Sequence, residues 1–243
     1  MKIITLLLSL VLAVSLWSSD YKTEKKLTLD ADVIETLKIN CGAGFLKVRG
    51  DQNTTAIEVS AQIYVSHLEK DEAEDFVEKR IRLSLEQRGR HAYLESEYDH
   101  KSSFWGKVFN DHPEVRIDLT ITVPEKIDLR VDDGSGYILI ENIAGSVDLD
   151  DGSGEITLRD ITGDVWIDDG SGEIRISHVG GDVEIDDGSG EIVVRNVKGN
   201  VRVDDGSGSI EISGVGKDVI IGDDGSGRVD ITDVSGRIVR HDD

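Results

Sequence analysis

The sequence predicts an all-β fold, a parallel β-solenoid (β-helix) of 18-residue coils, and three regularities predict it. First, Asp-Asp-Gly-Ser-Gly begins at Asp132, Asp150, Asp168, Asp186, Asp204 and Asp223, four times at a spacing of 18 and once at 19, with Gly222 as the extra residue. Second, a looser unit lies halfway between these copies, as in Gly163-Asp-Val-Trp-Ile and Gly181-Asp-Val-Glu-Ile, so the basic period is nine. Third, each unit carries branched apolar residues at its third and fifth positions, for example Ile156 and Leu158 or Val183 and Ile185. Such period-two alternation marks a strand with one buried face, and self-similarity at a fixed short period marks a stacked repeat.

Each coil is therefore two nine-residue strand-turn units. A strand of five or six residues and a three-residue corner leave no room for a helical crossover, so successive strands take opposite walls and like strands stack every 18 residues. Alternate units add a third inward residue: Ile143, Ile161, Val179, Val197, Val215 and Val234. Glycine and Asp or Asn mark the corners, because both tolerate positive φ and Asx side chains bond nearby amides. Six coils rising by about 4.8 Å give a rod roughly 25–30 Å long.

The organisation expected along the chain is a signal peptide over 1–18, an N-terminal coil with a capping insertion over 25–127, and the acidic solenoid over 128–240. Lys2 precedes an uncharged apolar run from Ile3 to Trp17, shorter than the roughly 20 residues needed to span a bilayer. Export to the periplasm or cell surface is the expectation, with no transmembrane helix after cleavage. Leu37–Val48 mirrors Leu129–Ile140, which places an early coil ahead of the main stack and puts Cys41 at the corner that Asp133 occupies. Between them, Ala56–Val65 alternates as a strand and Glu69–Lys79 patterns as a short acidic helix. Ile81–Glu86 and Ala92–Glu97 form hairpin arms around Gln87-Arg-Gly-Arg, Asp99–Pro113 is a loop, and Val115–Val123 is a strand ended by Pro124. This small α+β insertion is expected to cover the open edge of the solenoid.

The Gly42-Ala-Gly-Phe-Leu-Lys-Val-Arg-Gly stretch, followed by the run of Asp-Gly-Ser-Gly-x-Ile coils, resembles the bacterial DUF4097 proteins, a group labelled adhesin-like. The similarity covers roughly residues 25–240. It implies a β-solenoid exposed at the cell envelope and brings no catalytic residues with it.

Charge excludes some functions. The chain has a formal net charge of −22. Residues 128–243 carry 28 acids and 10 bases, a net of −18, so the acidity belongs to the solenoid. Such a field repels nucleic acid and favours cations or basic partners. The single cysteine, Cys41, allows no internal disulfide, so stability must come from packing. No Ser-His-Asp set, zinc ligand cluster or phosphate loop is present. A catalytic site needs unlike groups converging on one spot, whereas a repeat supplies one group many times. No enzyme activity and no cofactor are expected.

The acidic corners are the candidate site. Stacking puts each corner carboxylate about 5 Å from its copies, where two unit charges repel by roughly 0.8 kcal/mol even in water. Three readings compete. In the first, the second aspartates (Asp133, Asp151, Asp169, Asp187, Asp205, Asp224) accept hydrogen bonds from their own Gly-Ser-Gly, and the first aspartates (Asp132, Asp150, Asp168, Asp186, Asp204, Asp223) stay solvated. In the second, all twelve hold a ladder of Ca²⁺ ions. Known nine-residue calcium rolls carry Gly-Gly-x-Gly-x-Asp, and here the aspartates precede the glycines. In the third, the acidic wall docks an envelope or cell-surface partner, with Trp166 as anchor.

Other candidates are fewer. Phe104 and Trp105, with Phe109, form an aromatic loop that either packs on the solenoid end or contacts a membrane or a partner. It is flanked by Asp99-His100 and Asp111-His112, whose spacing matches no zinc pattern. His178 occupies a corner position otherwise filled by Asn or Asp and is expected to be a turn residue.

Overall fold

The computed structural model describes residues 21–98 and 113–241. The signal-peptide reading of 1–18 and the loop with Phe104, Trp105, His100 and His112 lie outside the described residues. The fold is a parallel β-solenoid of about six turns with 18-residue coils.

The coils are built from β7 (Asp128–Ile143), β8 (Val147–Asp151), β9 (Gly154–Ile161), β10 (Val165–Asp169), β11 (Gly172–Val179), β12 (Val183–Asp187), β13 (Gly190–Val197), β14 (Val201–Asp205), β15 (Gly208–Val215), β16 (Val219–Ile221), β17 (Val229–Val234) and β18 (Ile238–Arg240). Strands β8, β10, β12, β14, β16 and β18 pair in parallel as one wall. Strands β9, β11, β13, β15 and β17 pair in parallel as the other. The first half of β7 joins the first wall and its second half joins the second. Register is strict at 18 residues, as in Val165↔Val183 and Ile174↔Ile192. It is 19 after Gly222, where Ile210 faces Val229.

Alternation decides what is inside. The short strands β8, β10 and β12 each bury their first, third and fifth residues. The longer strands bury the predicted Ile–x–Ile pair and the third inward residue, such as Ile174, Ile176 and Val179. These side chains form one continuous apolar core. The third inward residue needs a kink before it. The chain supplies that kink with a left-handed residue: Asn142, Asp160, His178, Asn196 and Asp233 all have φ between 55° and 61°. Asn and Asp tolerate this conformation best. His178 is thus the turn residue expected.

The other end is covered. Strand β2 (Thr36–Asp51) runs parallel to β7 over its whole length, with Cys41 beside Asp133. Its first half is paired by β5 (His91–Tyr98), which forms a hairpin with β4 (Ile81–Arg88). Its second half is paired by β6 (Val115–Pro124), which is antiparallel to β3 (Ala56–Val65). Helix α1 (Lys70–Arg80) buries Ala73, Phe76 and Val77 against a small second core. The chain has one strand that the sequence reading did not find, β1 (Tyr21–Asp30), antiparallel to β3. Its inward face reads Tyr21, Thr23, Lys25, Leu27, Leu29, and Lys25 and Thr23 interrupt the apolar alternation that would have announced it.

Candidate functional site

Each Asp-Asp corner splits into two columns, because adjacent residues on a strand point to opposite faces. Asp132, Asp150, Asp168, Asp186 and Asp204 are in direct register on the outside, and all but the partly covered Asp204 are exposed. Asp133, Asp151, Asp169, Asp187 and Asp205 are in equal register inside, each at most 4% exposed. The sequence separates first aspartates in solvent from second aspartates bonded to their own corners; the structure goes further and buries five of the second set.

The inner carboxylates do accept bonds from their own corners, as the first reading expected. Backbone N–H groups donate from Ser171 to Asp169 Oδ1 (3.1 Å), from Ser189 to Asp187 Oδ1 (3.0 Å) and from Ser207 to Asp205 Oδ1 (3.0 Å). Gly134 N–H donates to Asp133 Oδ1 at 3.0 Å. Some of the inner oxygens find no donor. Oδ2 of Asp169, Asp187 and Asp205 and both oxygens of Asp151 are buried without a well-formed partner. Burial is the main cause that pushes these groups up: Asp133, Asp151 and Asp187 to about 6, and Asp169 and Asp205 upward as well. Like charge along the column adds to the rise at Asp151 and Asp187, and the corner amides oppose it. At the N-terminal end the Cys41 thiol bonds to Asp133, and burial, followed by the Asp133 charge, pushes the thiol far up. Cys41 is therefore held as a thiol and fills a corner, as its register with Asp133 implied.

The sixth corner departs from the other five. Gly222 takes the register of Asp204, its amide bonding Val203 O at 2.9 Å, so Asp223 falls beside Asp205. Asp223 then accepts the Gly225 amide at 2.9 Å and is exposed, while Asp224 pairs with Arg240. The assignment of Asp223 to the outer column and Asp224 to the inner one is thereby corrected; the added residue shifts both by one place.

A third column was not anticipated. At the opposite corner, side chains accept the amide of the residue 18 places on: Asp128 from Ser146, Ser146 from Asp164, Asp164 from Asp182, Asp182 from Asn200 and Asn200 from Asp218. Asp164 and Asp182 are thus used to join coils. The backbone bond to Asn200 is the main cause holding the Asp182 carboxyl below its usual range. Mixed Asp, Ser and Asn at one repeat position was the only sequence signal.

The outer surface of the first wall carries a second row beside the aspartates, in the order Arg130, Asp148, Trp166, Glu184, Arg202. Trp166 is 44% exposed between Asp148 and Glu184. Arg130 pairs with Asp148 at 3.4 Å, and Arg202 pairs with Asp204 at 2.7 Å. The second wall is mixed: Glu141 is buried under Arg159, with Lys47 and Arg49 nearby, and Arg195 pairs with Glu211. The acidic excess is therefore on one wall and its corner. Among the described residues no group of three or more His, Cys, Asp or Glu is arranged to hold a metal ion. No described helix is long and apolar enough to cross a membrane.

No family model matches the chain, and no curated protein does, so the likeness to DUF4097 stays a resemblance. Solved structures with similar folds include a candidate cell adhesion protein from Clostridium sporogenes, 16% identical, covering 90% of this chain and 99% of that one at a TM-score of 0.41. A candidate adhesin from Bacteroides fragilis is 15% identical, covering 89% and 97% at 0.39. A candidate lipid-binding protein from Parabacteroides distasonis is 12% identical, covering 90% and 97% at 0.38. The fold assignment rests on the strand pairings above, not on these likenesses.

Proposed function

We propose that this chain is a non-enzymatic, adhesin-like interaction protein of the cell envelope, presenting a rigid acidic edge to a basic partner. The observation that carries this reading is the outer column, five stacked aspartates with Trp166 in the adjoining row. Equal charges held about 4.8 Å apart on a stiff scaffold produce a strong local field. A cationic partner relieves their repulsion, and an exposed indole beside them supplies apolar contact area. The repeated corner offers one functional group many times, which suits docking and not catalysis.

The test is binding of the full chain to an extended lysine-rich peptide across a salt series. Replacing Asp132, Asp150, Asp168 and Asp186 by Asn should weaken binding by about tenfold or more at low salt and flatten its salt dependence. Replacing Glu155, Glu173 and Glu191 on the second wall should do much less. Equal losses from the two sets would sink the reading.

A further inference from the structure

The inner column poses a problem of charge. Five aspartates are stacked through the interior of one corner, and among the described residues no cationic side chain pairs with them. Cys41 on β2 closes the column at one end, and Asp223 and Asp224 lie at the other, with Asp224 already paired to Arg240. The outer aspartates Asp132, Asp168 and Asp186 flank it and add negative charge. The inward positions of the opposite wall are apolar throughout, as at Ile156, Ile174 and Ile192. An isolated buried carboxylate is costly, and five in file are worse, so the column must be neutralised from outside the protein.

A proton is the smallest species able to do this. A rise of about 4.8 Å per coil, less the span of one carboxyl group turned along the stack, leaves a gap in the short O–H···O⁻ range of about 2.5–2.7 Å. The leftover oxygens of Asp151, Asp169, Asp187 and Asp205 are buried and unpartnered, on residues stacked in register, as acceptors awaiting a donor would be. A carboxylic acid is both donor and acceptor, so alternate protonation satisfies neighbours along the file.

We propose that the interior aspartates form a proton-sharing column, each ionised carboxylate accepting a hydrogen bond from a protonated neighbour, so that acidification tightens the solenoid and alkalinisation loosens it. The Cys41 thiol donates the last bond at the N-terminal end. The sign follows from linkage. These groups hold protons more firmly folded than unfolded, so their stabilising contribution is complete below the ordinary aspartate value, about 3.9, and is lost as pH rises through the folded value of about 6. The window runs from about pH 4 to about pH 7. Groups shifted the other way, such as Glu141 and Asp182, act oppositely and only in the acid range below it.

Two variants of the full chain separate this from general relief of negative charge. D151N/D169N/D187N neutralises the inner column, and D150N/D168N/D186N removes three equal charges one residue away. The unmodified chain should melt about 5 °C or more higher at about pH 5 than at about pH 7.5. The inner variant should melt higher than the unmodified chain at about pH 7.5 and lose most of that pH dependence, while the outer variant keeps it. An inner variant with the pH dependence of the outer one overturns the proposal. A melting temperature at neutral pH raised by Ca²⁺ and lowered by EDTA also overturns it, in favour of a cation column. Should the inner variant fail to fold, infrared spectroscopy of the unmodified protein decides. At about pH 5.5, where exposed aspartates are ionised, a protonated-carboxyl band worth two or more groups is expected, and its absence refutes the column. Loss of peptide binding in the outer variant bears on the proposed docking edge alone.

Discussion

At its N-terminal end the stack is closed by strands on both walls: β5 pairs the first half of β2, β6 pairs the second, and β4, β3 and β1 extend the cover. Leu37, Ile39, Leu46 and Val48 are buried there as deeply as any residue in the middle. At the C-terminal end β17 and β18 pair back onto β15 and β16, but no described strand pairs beyond them. Val229, Ile231 and Val234 are half-buried, and Ile238, in the register of the buried Val219, is 49% exposed. The repeat thus decides which way a side chain points, and the neighbouring coil decides whether it is dry. In a solenoid these are separate questions, because each coil contacts only the coils beside it.

The sharpest way to break this comparison is a substitution that needs coils to separate. Gly172 has φ +150°, and a Cβ there would lie 1.6 Å from the Gly154 carbonyl oxygen. Coils on both sides hold that backbone in place, so Gly172→Ala should cost at least about 3 kcal/mol. At Gly227 a Cβ would meet the Gly208 carbonyl oxygen at 1.2 Å, an even closer clash on paper. There the last coil is free to move off, so Gly227→Ala should cost about 1 kcal/mol or less. Urea denaturation of the two variants measures both, and equal costs would mean that the end coil is as fixed as the middle.

Truncating an apolar side chain asks the same question more gently. Ile174→Ala in the middle should cost about 2–5 kcal/mol, since the cavity is walled by Ile156 and Ile192 in the adjoining coils. Ile238→Ala should cost less than about 0.5 kcal/mol, because much of that side chain already meets water. A large loss at Ile238 would show that something covers this end in solution.

Much of this arrangement can be read from the residues, and the exceptions have physical reasons. The coils are legible because Val, Ile and Leu at fixed intervals leave one register in which every apolar side chain is inside. The corner aspartates are legible as amide acceptors, yet not as buried groups. Asp-Asp-Gly-Ser-Gly reads as polar turn sequence, and only the continuation of strict alternation from Val147 and Leu149 to Asp151 told of the inward face. Strand β1 was hidden by Lys25, which lies in a half-buried inward place near Glu78. The ladder from Asp128 to Asp218 was hidden by its chemistry, since Asp, Ser and Asn accept an amide equally well and so leave no single-letter signature. The sixth corner needed one fact that no pattern contains, namely that Gly222 and not Asp223 continues the strand.

The smallest free energies in the comparison are the openings of the last coil itself. Its backbone groups bond on one side only: Arg228 O accepts from Ile210 N–H of β15, while Ser235 N–H and His241 N–H donate back to Val215 O and Ile221 O. Releasing β17 and β18 breaks contacts with one neighbouring coil and not two, so the opening should be local and cheaper than any opening in the middle. Amides of β11 and β12, enclosed on both sides, should exchange only when the whole stack opens. Hydrogen exchange followed by mass spectrometry should therefore find β17 and β18 exchanging at least about a hundredfold faster than β11 and β12 under native conditions. The β2 amides should group with the middle, because the insertion gives that end the neighbour the other end lacks. If β2 exchanges as fast as β18, the insertion is not acting as a cap, and the difference between the two ends has to be sought in sequence and not in cover.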